Sequence, residues 1–460
     1  MTDNSSLLNN THSLTSDLFY NLKPSTARCR SYQAAIPSSN KSTFAPGDTI
    51  VTYVGARRNC FLDCANSYIK FTIRNTDATA ANNLTIDGTA ASFINSLNVY
   101  HGSNLLESVQ QYDVLFSYLA DFQLDMAKKL GLSAAFGCTP QRTGLSLAGG
   151  GTNQMTFCLP ILSGVVGVMN DKYLPLSLAD DIRLEWALNP TYNSCVTNAA
   201  GTLADWSMIN FELQLNIVEL SDDAMRMVSA VTPFTQPVYM HGSSWRHYSS
   251  VVPGSSAGQQ SFLVPARFAS LKGLVVCPRR STEMGNTIAG KSSYSVSSRI
   301  NPNIASYWWR LGSILVPQRP VTLSNSNTTG GYAQGFMEIL RSFHSLGNFA
   351  ITSAVASNTT DGEDPAGFNV AETAETGTTV IQALAALNSY KNAFAIAQEL
   401  ESISNRGDSL LAGVNTMNQQ IFFEYTSNVA IGTASYTLDF YANYDHILCL
   451  DENGLLSVKF

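Results

Sequence analysis

Ile209-Asn-Phe-Glu-Leu-Gln-Leu-Asn-Ile217 sets five apolar residues in strict alternation with four polar ones. A period of two marks a strand with one face on a core and the other face wetter, the habit of antiparallel sheets. The same rhythm runs through Tyr68-Ile-Lys-Phe-Thr-Ile-Arg74, where Ile69, Phe71 and Ile73 share a face, and through Ile182-Arg-Leu-Glu-Trp-Ala-Leu188.

Outward from these strands the texture changes several times. Leu105, Leu106, Val109, Tyr112, Leu115, Phe116 and Leu119 recur at three and four, which predicts a helix. Residues 1–47 mix Ser, Thr and Asn with Pro24, Pro37 and Pro46 and read as an extended arm. Residues 48–222 then form a first β-rich unit, and the Ser, Gly and Pro of 223–260 read as a linker.

A second β-rich unit, 261–460, opens at Ser261-Phe-Leu-Val-Pro. It continues with Leu271 to Cys277, Tyr307-Trp-Trp-Arg-Leu, Ile421-Phe-Phe-Glu-Tyr425 and Ser435-Tyr-Thr-Leu-Asp-Phe-Tyr441. Ile447 to Phe460 reads as two short strands around an Asn453-Gly454 turn. Helical texture returns from Thr378 to Ile403, broken near Asn388 and Ser389. Long polar stretches at 139–154, 190–205, 279–300, 324–331 and 352–378 read as loops projecting from sandwich ends. Each half runs strands, helix, strands, and closes on a strongly alternating strand. The expected architecture is all-β: two similar sandwiches in tandem with a few helices in their loops.

Composition narrows the function. The chain has 460 residues, of which 45% are apolar, enough for a sizeable core. Only 13% are charged, about half the usual ~25%. A polar but weakly charged surface suits a protein that buries its exterior against copies of itself. The net charge of −7 argues against nucleic acid as the main ligand. The arm carries Lys23, Arg28, Arg30 and Lys41 against Asp3 and Asp17, far short of a genome-condensing tail. No run approaches the ~18 apolar residues of a membrane span, and the N-terminal stretch has no secretory pattern. The eight cysteines (Cys29, Cys60, Cys64, Cys138, Cys158, Cys195, Cys277, Cys449) read as scattered reduced thiols. Cys60 and Cys64 stand four apart without matching zinc ligands, so no metal site is expected.

One motif suggests chemistry. Gly285-Asn-Thr-Ile-Ala-Gly290-Lys291-Ser292 matches the phosphate-binding loop G-x-x-x-x-G-K-[ST], and Ile447-Leu-Cys-Leu-Asp451-Glu452 matches the acidic strand that would hold Mg²⁺. Together they would spell an ATPase. A phosphate cradle needs a buried strand before the loop and a helix starting at the Lys-Ser. Here polar Pro278-Arg-Arg-Ser-Thr-Glu-Met precedes it and Ser293-Tyr-Ser-Val-Ser-Ser follows, so Gly285, Gly290, Lys291 and Ser292 read as a decoy, with no cofactor.

The remaining candidates have bland readings. His12, His101, His241, His247, His344 and His446 show no metal-binding spacing. Asp180-Asp181 and Asp222-Asp223 flank strands, where acidic caps are ordinary. Trp308-Trp309 would serve a glycan-binding sandwich only as an exposed platform, and core packing fits their alternating context better. No catalytic residue is expected.

Specific stretches then carry a resemblance. They are Phe61-Leu-Asp-Cys-Ala-Asn-Ser-Tyr-Ile-Lys-Phe71, Ile94 to Glu107 leading to Tyr112, Leu159-Pro-Ile-Leu-Ser-Gly-Val-Val-Gly, and Tyr173-Leu-Pro-Leu. The second half adds Phe394 to Glu401, Ser409 to Thr416, and Asp439 to Leu450. In this order, across 48–460, the chain resembles the double jelly-roll major capsid proteins of double-stranded DNA viruses, especially the polinton-like virus and virophage lineage. The 279–300 loop departs from that pattern.

The resemblance implies two eight-stranded jelly rolls side by side and a pseudo-hexagonal homotrimeric capsomer tiling an icosahedral shell. It implies a structural protein of the virion, assembled inside the infected cell, and no enzyme. Implied partners are neighbouring capsomers, penton and minor or cement proteins and, in some relatives, an internal membrane, without sequence-specific nucleic-acid binding. A single jelly-roll, minor or penton capsid protein is the alternative, with the ATPase behind it.

Overall fold

The computed structural model describes residues 28–124, 126–138, 145–170, 172–190, 196–197, 205–231, 236–254, 256–281, 296–297, 299, 301–302, 304–323, 333–343, 394–401, 411–427 and 435–460. The octet Gly285–Ser292, with Cys195, His12 and His344, lies outside them.

The first unit contains β1 (Cys29–Pro37), β2 (Thr43–Phe44), β3 (Thr49–Val54), β4 (Cys60–Asn75), β5 (Leu84–Ile86), β6 (Ile94–His101) and β7 (Asn104–Gln110). After helices α1 (Tyr112–Gln123) and α2 (Met126–Phe136) come β8 (Ser146–Leu147), β9 (Gln154–Pro160), β10 (Leu174–Pro175), β11 (Ile182–Leu188), β12 (Val196–Thr197) and β13 (Trp206–Leu220). Their main sheets run β1-β13-β4-β10, with β9 also on β4, and β3-β11-β6-β7. Trp186 on β11 meets Phe211 on β13 at 5.8 Å between ring centroids, so the two sheets pack face to face.

Helix α3 (Asp222–Val231) leads to the second unit: β14 (Val238–Val252), β15 (Gly258–Val264), β16 (Leu271–Arg280), β17 (Ile304–Leu311) and β18 (Ile314–Thr322). Helix α4 (Ala333–Ser342) precedes β19 (Ile396–Glu399), β20 (Ile421–Ser427), β21 (Tyr436–Leu450) and β22 (Leu456–Lys459). The sheets run β14-β21-β16-β19 and β15-β20-β17-β18. Trp309 and Phe423 from one pack against Phe440 from the other, at 6.2 and 5.7 Å.

Position by position the two sets of strand orders are the same. Each unit is a jelly roll, so the fold is all-β and doubled. The duplication leaves a trace in the residues that pattern reading missed. The β6–β7 hairpin turns at Gly102-Ser103 and the β17–β18 hairpin at Gly312-Ser313, both glycines at φ 59°. Positive φ is open to glycine at no steric cost.

The decisive stretch lies within β13, where Phe211, Leu213, Leu215 and Ile217 are buried. Four readings need correction. Residues 29–37 are a sheet strand, not an arm, because Tyr32, Ala34 and Ile36 alternate onto the core. Residues 238–252 are an edge strand rather than linker: their Ser and Gly hide a strand fixed by pairing with β21. The helix read from Leu105 begins only at Tyr112, and residues 104–110 pair with β6 instead. Ile396–Glu399, inside the expected 378–403 helix, pairs with β16, and 378–393 lies outside the described residues.

Candidate functional site: the seam between the two sandwiches

The densest polar chemistry lies where the first unit meets the second. Glu107, on β7, is buried and accepts hydrogen bonds from the Ser163 hydroxyl, the Gly164 N–H (3.0 Å) and the Ser244 hydroxyl on β14. Beside it the 161–170 loop lies along the β14 edge, where the Ser243 N–H donates to the Met169 carbonyl (3.2 Å). Edge strands are unpaired templates, and here another part of the same chain covers one.

A second cluster forms around Arg279 on β16. It donates to Asp439 (2.6 Å) within the second unit and to the Gln111 side chain (3.0 Å) in the first. The Tyr441 hydroxyl donates to the Gln111 carbonyl (3.0 Å), and His247 pairs with Asp439 (2.9 Å). A third cluster joins Arg299 to Asp121, which Lys129 also meets (3.2 Å), while Asp87 accepts from the Val296 N–H (2.7 Å) and the Ser297 hydroxyl. A buried charge is tolerated when paired and hydrogen-bonded, and removing one partner strands the other.

Burial sets the titration of these groups. It raises the Asp113 carboxyl to about 6, although Arg279 opposes the rise. Burial also acts to raise Asp439, but Arg279 and His247 outweigh it and hold the carboxyl below its ordinary range. Asp445 is likewise held low against burial by His241, Ser270 and Lys272. Burial depresses the imidazole of His446 despite nearby Glu107.

Between the two units a cavity of about 390 Å³ is lined by Leu119, Met169, Trp245, Lys272, Gln398 and Glu399, among others. Burial and then Glu401 push the Glu399 carboxyl up to about 7.

The residues singled out from sequence are dispersed. Asp451 sits in the β21–β22 turn, where its carboxylate accepts the N–H groups of Asn453 (3.0 Å) and Leu455 (2.7 Å), a turn-stabilising role. Asp181 accepts the Ala56 N–H and Asp222 the Asn59 amide, while Asp223 faces Arg226 at the exposed start of α3. Trp309 is core, and Trp308 donates to Glu424 (2.8 Å), so the two form no common platform.

His241 pairs with Asp445 (3.2 Å) and His101 bridges Asp180 and Leu456. Burial pushes the Cys64 and Cys277 thiols up to about 12, which makes them inert nucleophiles. Among the described residues no group of three His, Cys, Asp or Glu side chains is placed to hold a metal, and all seven cysteines are free. Sequence reasoning missed Glu107, Arg279 and Asp121. The signal at Glu107 and Asp121 is a charge beside apolar neighbours, and Arg279 stands at the polar end of an apolar strand.

No protein-family model matches the sequence, and no curated protein matches it. Solved structures do. PBCV-1 VP54, from a crystal structure fitted into a cryo-EM reconstruction of the virophage Sputnik, superimposes with a TM-score of 0.59 at 11% identity, covering 96% of this chain and 99% of that one. The Faustovirus major capsid protein gives 0.59 at 9% identity (96% and 93% covered), and the mavirus major capsid protein 0.54 at 12% (98% and 94%). Matching strand orders and end-to-end superposition give one conclusion: this chain has the double jelly-roll fold in which those viral major capsid proteins are built.

Proposed function

We propose that the chain is a major capsid protein of a double-stranded DNA virus and a structural component of the virion rather than an enzyme. The observation that carries this reading is coverage: the likeness to VP54 takes in both sandwiches and the seam, 96% of this chain and 99% of that one. Three copies then give a pseudo-hexagonal capsomer that tiles an icosahedral shell. Neighbouring capsomers, penton and minor or cement proteins are its expected partners. A charged fraction of 13% supports extensive burial between subunits. The seam supports it too, since the buried Arg299–Asp121 ion pair and the hydrogen bonds around Glu107 and Gln111 fix two sandwiches as one building block. We further divide the chain so that β1 belongs with the first jelly roll and β14 with the second.

Light scattering on the purified chain tests the reading. A species near three times 49.7 kDa, indifferent to ATP and to Lys291→Ala, is expected. A monomer at every concentration, or a hexamer formed only with ATP, would overturn it. A single jelly-roll or penton protein is disfavoured by the second complete set of strands.

A further inference from the structure

The internal duplication offers a way to identify surfaces that meet between copies. Inside the chain, the β6–β7 hairpin of the first unit packs on the second. The Asn104 amide donates to the Leu456 carbonyl (3.3 Å), His101 accepts the Leu456 N–H (3.3 Å), and Glu107 accepts from Ser244 on the β14 edge. The receiving surface is the edge strand β14 together with β22, the element that follows β21.

Both sides of this contact have a counterpart elsewhere in the chain. The counterpart of the β6–β7 hairpin is β17–β18, with the same Gly-Ser tip. It carries Ile314 (60% exposed) and Leu315 (44%), and nothing covers them among the described residues. The counterpart of edge strand β14 is β1, which pairs only with β13 among the described residues. The element following β13, in the place that β22 takes after β21, is α3. That helix buries only Ala224 and exposes Met227 (68%) and Val231 (86%). Among the described residues the chain therefore shows one hairpin-to-edge contact made internally and both halves of a second such contact unmade, with apolar side chains exposed on the hairpin and on α3.

We infer that the β17–β18 hairpin of one copy docks against the β1 edge and α3 of a second copy, repeating between chains the contact that β6–β7 makes within one. The pairing is heterologous, a different surface from each partner, and such pairing closes into a ring when the rotation allows. Ile314 and Leu315 would meet Met227 and Val231, removing apolar surface from both copies. This inference rests on the capsomer reading and names the surfaces that build the capsomer.

The test uses two full-length variants, Ile314→Asp with Leu315→Asp, and Met227→Asp with Val231→Asp. All four positions are exposed, so each variant should keep the wild-type circular dichroism and melting temperature, and those measurements accompany the masses. Light scattering should give a three-copy wild type and one-copy variants. An equimolar mixture should recover a two-copy species, because each variant retains the surface the other lacks.

If the wild type is trimeric and both folded variants remain so, the inference falls while the capsomer reading stands. Monomeric variants that fail to pair when mixed also overturn it. A monomeric wild type overturns both readings. Should either Asp variant lose its fold, Ile314→Ser with Leu315→Ser and Met227→Ser with Val231→Ser replace them under the same outcomes.

Discussion

Gly164 in the first sandwich stands so close to His446 in the second that a Cβ on the glycine would lie 2.2 Å from the imidazole Cε1 and 2.3 Å from the Ser243 carbonyl oxygen. Gly242, paired with His446 across β14 and β21, would place its own Cβ 2.7 Å from the Gly164 carbonyl oxygen. Two glycines thus let the 161–170 loop approach the β14–β21 pair closely around one buried histidine.

Gly164→Ala should therefore cost about 1–3 kcal/mol of unfolding free energy, in the range of overpacked cores. His446→Ala in the same chain should restore only part, because the Ser243 carbonyl remains in the way. Urea denaturation of the two single variants and the double checks this. Full restoration would place the whole conflict at the imidazole and refute the account.

Glu107→Ala should destabilise more than Glu107→Gln. Alanine leaves the Ser163 and Ser244 hydroxyls and the Gly164 N–H without their acceptor in a buried site. Each orphaned buried donor costs roughly 1–3 kcal/mol, whereas glutamine keeps one carbonyl acceptor in place. Thermal melts rank the two, and equal melting temperatures would mean that Glu107 is not holding the seam.

Asp113 makes one contribution to the pH dependence. Its carboxyl is raised from 3.8 to about 6, so the folded chain holds a proton that the unfolded chain has released. Stability from this group is fully present below the unfolded value of 3.8 and is lost as pH rises toward about 6, where the loss levels off. The loss is on the order of 3 kcal/mol at most. Subtracting the stability curve of Asp113→Asn from that of the wild type should isolate it between pH 4 and 6. Asp439 works in the opposite sense: held low, its stabilisation is present above 3.8 and disappears as pH falls below. His446, depressed below 6.5, removes stability as pH falls under that value. A difference curve that is flat between pH 4 and 6 would contradict the Asp113 assignment.

Gly454→Val should loosen another contact of the seam, between the β21–β22 turn and Ala179. Gly454 adopts φ 80° in the turn after Asp451, its carbonyl accepts the Ala179 N–H (3.0 Å), and a Cβ there would lie 2.8 Å from that nitrogen. A β-branched residue at positive φ is strained whatever the space. Faster proteolysis at the junction, with the separate sandwiches still giving strand spectra, is the expected readout. Unchanged proteolysis would show that the turn is not needed to hold the units together.

Much of the fold was legible. Ile69-Phe71-Ile73, Ile182 to Leu188 and Phe211 to Ile217 face their cores as alternation required, because a pleated strand sends successive side chains to opposite faces. The Asn453-Gly454 turn was legible for a similar local reason, since a position at positive φ selects glycine, here Gly454. The misread pieces are those whose local texture is weak. In β14, Gly242, Ser243 and Ser244 have no pronounced strand preference, and fifteen registered pairs with β21 make the strand.

The sequence by itself determined most of the strands, their inward faces and the tandem order of two sandwiches, because period and turn chemistry are written within a few neighbouring residues. Only the tertiary structure decided the seam. Glu107 and Ser244 are 137 positions apart, and Arg279 and Gln111 are 168 apart. No local pattern links such residues, and they find one another only when two packed sheets exclude water and leave each buried charge needing a partner.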